Sequence, residues 1–559
     1  MNSVSDIIPS AGMTDADTQP GQIYWHAGQN GQLSELAALS ERLRSLDVPF
    51  SLLSDQSGIK LGFGGSIHLD DNVENENAYQ HLAFVPKQAI QALGNKQFCQ
   101  DYNIKYPYMT GAMANGIASV ELVEAIAKAD MLASFGAAGL SLAEVEKAIQ
   151  RLQAAIPDKP FCFNLIYSPN EKGHEDAIVD LYLRYGVDLV EASAYMKLTL
   201  PVVRYRVKGI HKDAQGNIVV PNRIIAKASR VELASKWFSP PPEKLLKELL
   251  AQGAITNEEA ELAKQIPMAQ DLTVEADSGG HTDNRPAITL LPTMLALRDQ
   301  IQAEYNYMYE LRVGAAGGIA TPASALGAFA MGAAYIVTGT VNQACKESGS
   351  SDIVREMLAN TGQADVTMAP AVDMFEMGVK LQVLKRGSMF AMRGNKLYEL
   401  YKKYASIDEI PAADRANLEK TIFKMTLDDV WQKTYEFFSE RDPSQVEKAK
   451  NDPKHKMALI FRWYLGLSSR WANAGVADRQ VDYQVWCGPA MGAFNEWTRD
   501  TFLATTDRRD AVTVAMNIMF GAAVLSRANG ILKQGVEVPG ELTQFQPMQL
   551  DAIEKYLTE

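Results

Sequence analysis

Cysteine is scarce: Cys99, Cys162, Cys345 and Cys487 are the only four in 559 residues, and no two form a Cys-x-x-Cys pair. That excludes a disulfide framework and a structural zinc site, and a reducing, cytoplasmic setting is expected. Histidine offers no metal site either, because His68, His81, His174, His211 and His281 show no His-x-x-x-His spacing. Positive charge is in deficit. A formal net charge of -13 excludes general binding to nucleic acid or to an anionic membrane surface. No basic segment precedes an apolar run near the N-terminus, so no secretory signal is expected. There is no internal repeat and no low-complexity tract.

Long apolar runs are also few. Residues 321–341 carry no charge and are long enough to cross a bilayer. They are mostly Ala, Gly and Thr, with Pro322 at one end and Ala334-Tyr335-Ile336-Val337 at the other. A buried helix followed by a buried strand is expected there, and no membrane span.

What the chain does have is alternation. Apolar runs at 106–109, 131–135, 161–166, 187–191, 224–226, 272–275, 311–314 and 335–338 predict eight strands, separated by helical stretches such as 120–128 and 142–152. Eight strand–helix units predict an α/β fold with a parallel sheet closed into a (β/α)8 TIM barrel over residues 96–365. A doubly wound open sheet is the alternative, but no Gly-x-Gly-x-x-Gly follows the first strand. Residues 1–20 are expected to be disordered. Residues 21–95 read as a small α+β extension, with helical periodicity at 33–46 and a hairpin of 50–53 and 59–63 around Ser57-Gly58. Between strands five and six, residues 237–266 predict two short helices, the second capped by a Thr256–Glu259 box, and a lid over the active-site face. Residues 366–559 read as a helical C-terminal domain.

Glycine turns follow the late strands. Asp277-Ser278-Gly279-Gly280-His281, Gly314-Ala315-Ala316-Gly317-Gly318-Ile319 and Thr338-Gly339-Thr340 come after strands six, seven and eight. A barrel typically binds phosphate after strands seven and eight, where bare N–H groups and a helix start such as Thr321-Pro322 supply the positive end. Ordinary tight turns are the competing meaning. His281, at a strand end on that face, suits general acid–base work near neutral pH; a turn histidine bonded to backbone is the alternative. Lys227, after strand five, either reaches solvent or stabilises negative charge in the site. Asn164, after strand three, hydrogen-bonds a ligand ring edge or caps a turn. Gly111-Ala112-Met113, after strand one, offers small residues and backbone N–H groups where a flat ring would lie.

The tract from Tyr106 to Ile117 (Tyr-Pro-Tyr-Met-Thr-Gly-Ala-Met-Ala-Asn-Gly-Ile), the Gly279-Gly280-His281 turn and Ala315-Ala316-Gly317-Gly318-Ile319 resemble the nitronate monooxygenase superfamily of FMN-binding TIM barrels. Tracts 368–380, 386–393, 461–471 and 486–495 resemble the PfaD family, the stand-alone enoyl reductases of bacterial polyunsaturated fatty acid synthases, with relatives acting in trans in polyketide assembly. The resemblance implies an enoyl reductase that uses FMN, with NADPH as reductant. It implies His281 as the active-site histidine, and Ser278, Gly279, Gly280, Gly317, Gly318, Gly339 and Thr340 around the FMN phosphate and ribityl chain. Ala112 and Met113 would line the ring, and Lys227 would stabilise its reduced form. The nitronate monooxygenase superfamily often shows Glu-Ala-Gly-Gly-His; here Glu275-Ala276-Asp277-Ser278-Gly279-Gly280-His281 is longer. Acyl carrier protein domains of a polyunsaturated fatty acid synthase are the implied partner, and a homodimer the implied assembly. The basic run Lys380, Lys385, Arg386, Arg393, Lys396, Lys402 and Lys403 is expected to dock the acidic carrier, a solvated helix face being the alternative. Two rivals stand beside this: an oxygenase of the nitronate monooxygenase type, and a flavin-containing scaffold without catalysis.

Overall fold

All eight apolar runs become strands of one closed parallel barrel, which excludes the open-sheet alternative. They are β1 (Tyr108–Thr110), β2 (Leu132–Phe135), β3 (Cys162–Ile166), β4 (Leu189–Ser193), β5 (Arg223–Ala228), β6 (Asp271–Glu275), β7 (Arg312–Ala316) and β8 (Ile336–Thr338). Strand β8 closes the ring on β1, with Ile336 opposite Tyr108 and Thr338 opposite Thr110. The strands read as continuous apolar runs because both faces are covered in a parallel barrel. The computed structural model describes residues 23–69, 78–168 and 173–558; the disorder expected for residues 1–20 falls outside them.

Helices start where the sequence supplies caps. The Ser119 hydroxyl accepts from the Leu122 N–H, and Ser141 with Glu144 forms a capping box. In Leu142–Ala155 the buried side is Val145, Ala148, Ile149 and Leu152, a 3.6-residue repeat. The charge-free residues 321–341 divide as expected into the helix Pro322–Ala330 and the buried strand β8.

A charged plug fills the N-terminal mouth of the barrel. Arg312 opens β7 and Asp271 opens β6, and they make a bidentate pair: Nε to Oδ1 at 2.6 Å and Nη2 to Oδ2 at 2.9 Å. Arg312 Nη1 also donates to Asp101 at 2.6 Å, and the Tyr102 hydroxyl donates to Asp271 at 2.7 Å. Phe98 stacks on Tyr335 with 4.1 Å between ring centroids.

The insertion between strands five and six forms helices, including the Thr256–Glu259 capping box, but its expected role as a lid is corrected. The fifth barrel helix is Val231–Phe238. Helices Glu243–Ala251 and Asn257–Ala263 come after it and lead into the N-terminal end of β6, so they belong to the plugged side. Glu259 accepts there from the Gly209 N–H at 2.6 Å, and Lys208 donates to the Ala254 carbonyl at 3.1 Å.

The expected helical domain over residues 366–559 is divided. Residues 331–512 group with the barrel, while the described residues of 1–96 and of 513–559, with 321–330, form a second compact unit. Nor is the first part wholly helical. Val366–Pro370 and Lys380–Leu384 pair antiparallel, and the two residues Gly280–His281 add to the second of them. Phe375, Phe390, Phe423, Phe461 and Tyr464 form a core against these strands.

Arg393 leaves the expected docking run, because it is mostly buried and paired with the fully buried Asp482. Asp482 also accepts from Tyr464 at 2.9 Å and faces Arg479 at 3.1 Å. Removing one partner of a buried ion pair costs about 3–5 kcal/mol, and Arg479 offsets some of that. Arg393→Met is expected to destabilise by about 3 kcal/mol. An unchanged denaturation midpoint would return Arg393 to the surface.

The second unit holds a six-stranded antiparallel sheet, which includes the expected hairpin as Phe50–Asp55 and Gly58–Phe63. The 33–46 segment is helical only in part: Gln32–Glu35 is a strand and Leu39–Arg44 a helix. Arg527 donates to the carbonyls of Arg42, Leu43, Ser45 and Val48, and burial pushes its guanidinium down to about 10. Among the described residues, Ala511–Lys533 alone is long and apolar enough to cross a membrane, and 89% of its most apolar window is buried.

Candidate functional site

Strand periodicity builds the site. Residues two apart on a strand share a face, and Met109, Cys162, Leu189, Ile225 and Val337 are buried together inside the barrel. Two residues further on, the same faces carry Gly111, Asn164, Glu191, Lys227 and Gly339. Above them opens a cavity of about 640 Å³, within the roughly 300–1,000 Å³ usual for a cofactor or ligand pocket. Every residue singled out in the sequence as catalytic or cofactor-binding lines it.

Lys227 does not reach solvent. It is 12% exposed, its Nζ lies 2.9 Å from Glu275 Oε1 and 3.7 Å from the fully buried Glu191 Oε1. Burial alone would lower its ammonium, but Glu275 and Glu191 overcome that and hold it above the usual lysine value. Lys227 therefore stays an ammonium, set between two carboxylates. Glu191 also accepts from the Ala112 N–H at 2.7 Å, while the Gly111 N–H donates to the Thr338 carbonyl at 3.0 Å. One expectation is corrected here: the turn after β1 offers small side chains, but these two N–H groups are already used. Asn164 spends its amide nitrogen on the Glu191 carbonyl (3.1 Å) and Ser193 Oγ (2.8 Å), tying β3 to β4.

The turns after β6 and β7 are locked by close backbone approach. Gly317 has φ +84°, and a Cβ there would stand 2.6 Å from the Ala276 carbonyl carbon. Gly488 packs so closely on the β6 turn that a Cβ would sit 2.8 Å from the Gly279 nitrogen. Gln382 Nε2 donates to Asp277 Oδ1 and to the Ser278 carbonyl, both at 2.8 Å. The Ser278 hydroxyl is buried with no hydrogen-bond partner, and open space faces Gly318 and Gly339. An orphaned hydroxyl beside space left open at two glycine turns fits a phosphate ester.

His281 is held by the added sheet, opposite Leu381. Its Nε2 lies 3.1 Å from Asp373 Oδ1. Burial would lower the imidazole, but Asp373 and then Glu275 raise it above the usual histidine value. Asp373 is held below the usual carboxylate range by His281, against its own burial. The pair therefore favours the imidazolium more than a free histidine does, which suits a proton donor.

Glu191, Asp373 and Gln382 were not recognised as site residues in the sequence. A carboxylate at the C-terminal end of the apolar run 187–191 was a usable signal for Glu191. Asp373 and Gln382 had none, since only chain crossing brings them to His281 and Ser278. Residues of the helices Leu427–Arg441 and Pro453–Ala474 also line the cavity, where a lid from 237–266 had been expected.

A closed parallel barrel with glycine turns after its last three strands, a buried lysine and a carboxylate-held histidine defines a TIM-barrel protein whose pocket has room for a phosphate ester and groups suited to acid–base work. The family model described as "Nitronate monooxygenase" matches residues 96–403, and this chain belongs to that family. A second model, "[Acyl-carrier-protein] S-malonyltransferase, inserted helical domain", matches residues 404–483. The chain is similar to a polyunsaturated fatty acid synthase component of a Thraustochytrium species, 47% identical over 507 residues, covering 89% of this chain and 33% of that protein. It is similar to polyketide biosynthesis protein PksE of Bacillus subtilis, 45% identical over 436 residues, covering 78% of this chain and 56% of that one. The chain thus spans about a third to a little over half of the length of these curated relatives. Among solved structures it is similar to the enoyl reductase domain of MlnA from the macrolactin cluster of Bacillus amyloliquefaciens. The TM-score is 0.74 and the identity 37%, over 78% of this chain and 98% of that one.

Proposed function

We propose that this protein is an FMN-dependent enoyl reductase that takes reducing equivalents from NADPH. It acts in trans on enoyl thioesters of an acyl carrier protein in polyunsaturated fatty acid or polyketide synthesis. The observation that carries this is the convergence of the glycine turns, Lys227 and the His281–Asp373 pair in one cavity. Similarity to an enoyl reductase domain over nearly its whole length supports the reaction class, and similarity to synthase proteins supports a carrier-bound substrate. A cytoplasmic homodimer goes with it.

Ser278, Gly279, Gly280, Gly317, Gly318, Gly339 and Thr340 would hold the FMN phosphate and ribityl chain. The chemistry that bound FMN supplies is storage of one hydride equivalent between NADPH and the enoyl thioester. Lys227 keeps positive charge at the barrel mouth, where it stabilises developing anionic charge. Hydride at the substrate's β-carbon leaves negative charge on the thioester oxygen. The His281 imidazolium, held through Nε2 by Asp373, stabilises that oxygen and supplies the proton that ends on the α-carbon. Among the basic run, Lys380, Lys385, Arg386, Lys396, Lys402 and Lys403 are exposed and suit an acidic carrier surface.

Anaerobic stopped-flow absorbance tests the reaction. Protein reduced with one equivalent of NADPH is mixed with a short enoyl thioester, and rapid return of the oxidised flavin band with saturated product is expected. Flavin that stays reduced until oxygen is admitted would transfer the assignment to an oxygenase. Gly488→Ala tests the cradle: pushing the Ser278–Gly280 turn aside is expected to weaken FMN retention at least tenfold, about 1.4 kcal/mol. Unchanged retention, read by fluorescence titration, would separate the 487–488 segment from cofactor binding.

A further inference from the structure

The helical wall of the cavity carries charge that neither the glycine turns nor His281 uses. Helix Leu427–Arg441 contributes Lys433, Phe437 and Arg441, spaced by four and so on one face. Helix Pro453–Ala474 contributes Arg462, Trp463 and Arg470. Cations thus gather on one wall of a chain whose net charge is -13. Two of the nearby carboxylates have partners of their own. Asp442 accepts from the Ser444 N–H at 3.2 Å and Gln445 Nε2 at 3.0 Å, and Asp373 holds His281.

Arg462 is the informative member. Its side chain is 13% exposed, and its Nη1 lies 3.8 Å from Glu376 Oε2. Glu376 is shared with His455, whose Nδ1 lies 3.1 Å from its other oxygen. The Arg462 Nε is buried without a hydrogen-bond partner. An unsatisfied buried guanidinium nitrogen costs stability unless an anionic oxygen meets it, and the planar fork of arginine matches a phosphate.

We propose that Arg462, with Lys433, Arg441 and Arg470, forms a second phosphate subsite, separate from the glycine turns, for the phosphate ester of a cosubstrate. Phe437 and Trp463 flank the uncharged part of that cosubstrate. The subsite rests on the reductase assignment above, which offers two sources for one chemistry: the phosphate of a phosphopantetheine arm, and the 2′-phosphate of NADPH. The chemistry of recognition is the same for both, a charge-assisted bidentate contact.

Steady-state kinetics of the flavin-loaded full chain separate them. Wild type is compared with Lys433→Gln/Arg441→Gln, in which both replaced side chains are exposed, and with Arg462→Gln. The quantities read are two KM ratios: crotonyl-phosphopantetheine to crotonyl-pantetheine, and NADPH to NADH. Ratios cancel any general loss of folding or turnover. A tenfold or larger rise in the first ratio supports the subsite and assigns it to the thioester arm. The same rise in the second supports it and assigns it to the nucleotide. Both ratios unchanged in both variants would overturn it. If wild type reduces no enoyl thioester at all, the reductase assignment fails by itself. The subsite is then judged by calorimetric titration with phosphopantetheine and NADPH: weaker binding in the variants retains it, and equal binding overturns it.

Discussion

Replacing His281 with alanine is expected to lower enoyl thioester turnover by about two to four orders of magnitude, the usual worth of a positioned general acid. FMN content is expected to change little, because the phosphate turns are braced by Gln382 and Gly488 rather than by the imidazole. The pH dependence carries the sharper test. Asp373 and Glu275 raise the His281 imidazole above its ordinary value against burial, so the acid form persists to higher pH than in a free histidine. Turnover should fall as pH rises through that raised value. In Asp373→Asn the larger raising charge is gone and only Glu275 still opposes burial, so the alkaline limb should move to lower pH while the geometry is kept. A limb that stays put would remove Asp373 as the positioning residue. Loss of flavin in His281→Ala, with full activity per bound flavin, would remove His281 from the chemistry.

Arg312→Met is expected to produce the largest loss of stability, about 3–5 kcal/mol, the range for breaking a buried ion pair from one side. Asp271 is completely buried, and without Arg312 its charge keeps only the Tyr102 hydroxyl. Asp101 is part-exposed and can turn to water, so most of the penalty falls on Asp271. Arg312→Met with Asp271→Asn should recover much of the loss, since an uncharged partner removes the stranded carboxylate. Denaturant unfolding of the single and double variants reads both. Equal destabilisation in the two would place the cost in lost packing against Phe98 rather than in charge.

Local pattern and tertiary placement contribute differently to these two sites. Each barrel strand was legible because a strand buried on both faces must be apolar throughout, and the three glycine turns were legible because glycines directly after an apolar run mark a strand end. Asp271 and Arg312 are not readable as partners: they open neighbouring strands 41 residues apart, and only the parallel register sets them side by side. The misplaced lid has a similar cause. Residues 237–266 were correctly helical, but which end of the barrel they occupy depends on where the preceding helix stops, at Phe238.

By itself the sequence determined the class of fold, the late position of the glycine turns and the identity of His281 and Lys227 as candidates, because each follows from the residue's own chemistry and its place relative to a strand end. Tertiary structure alone decided that Lys227 is a buried cation between two carboxylates. It decided too that His281 answers to an aspartate 92 residues away, and that helices 427–441 and 453–474 wall the cavity. Burial, ion pairing and register are properties of several segments at once, and no single segment encodes them.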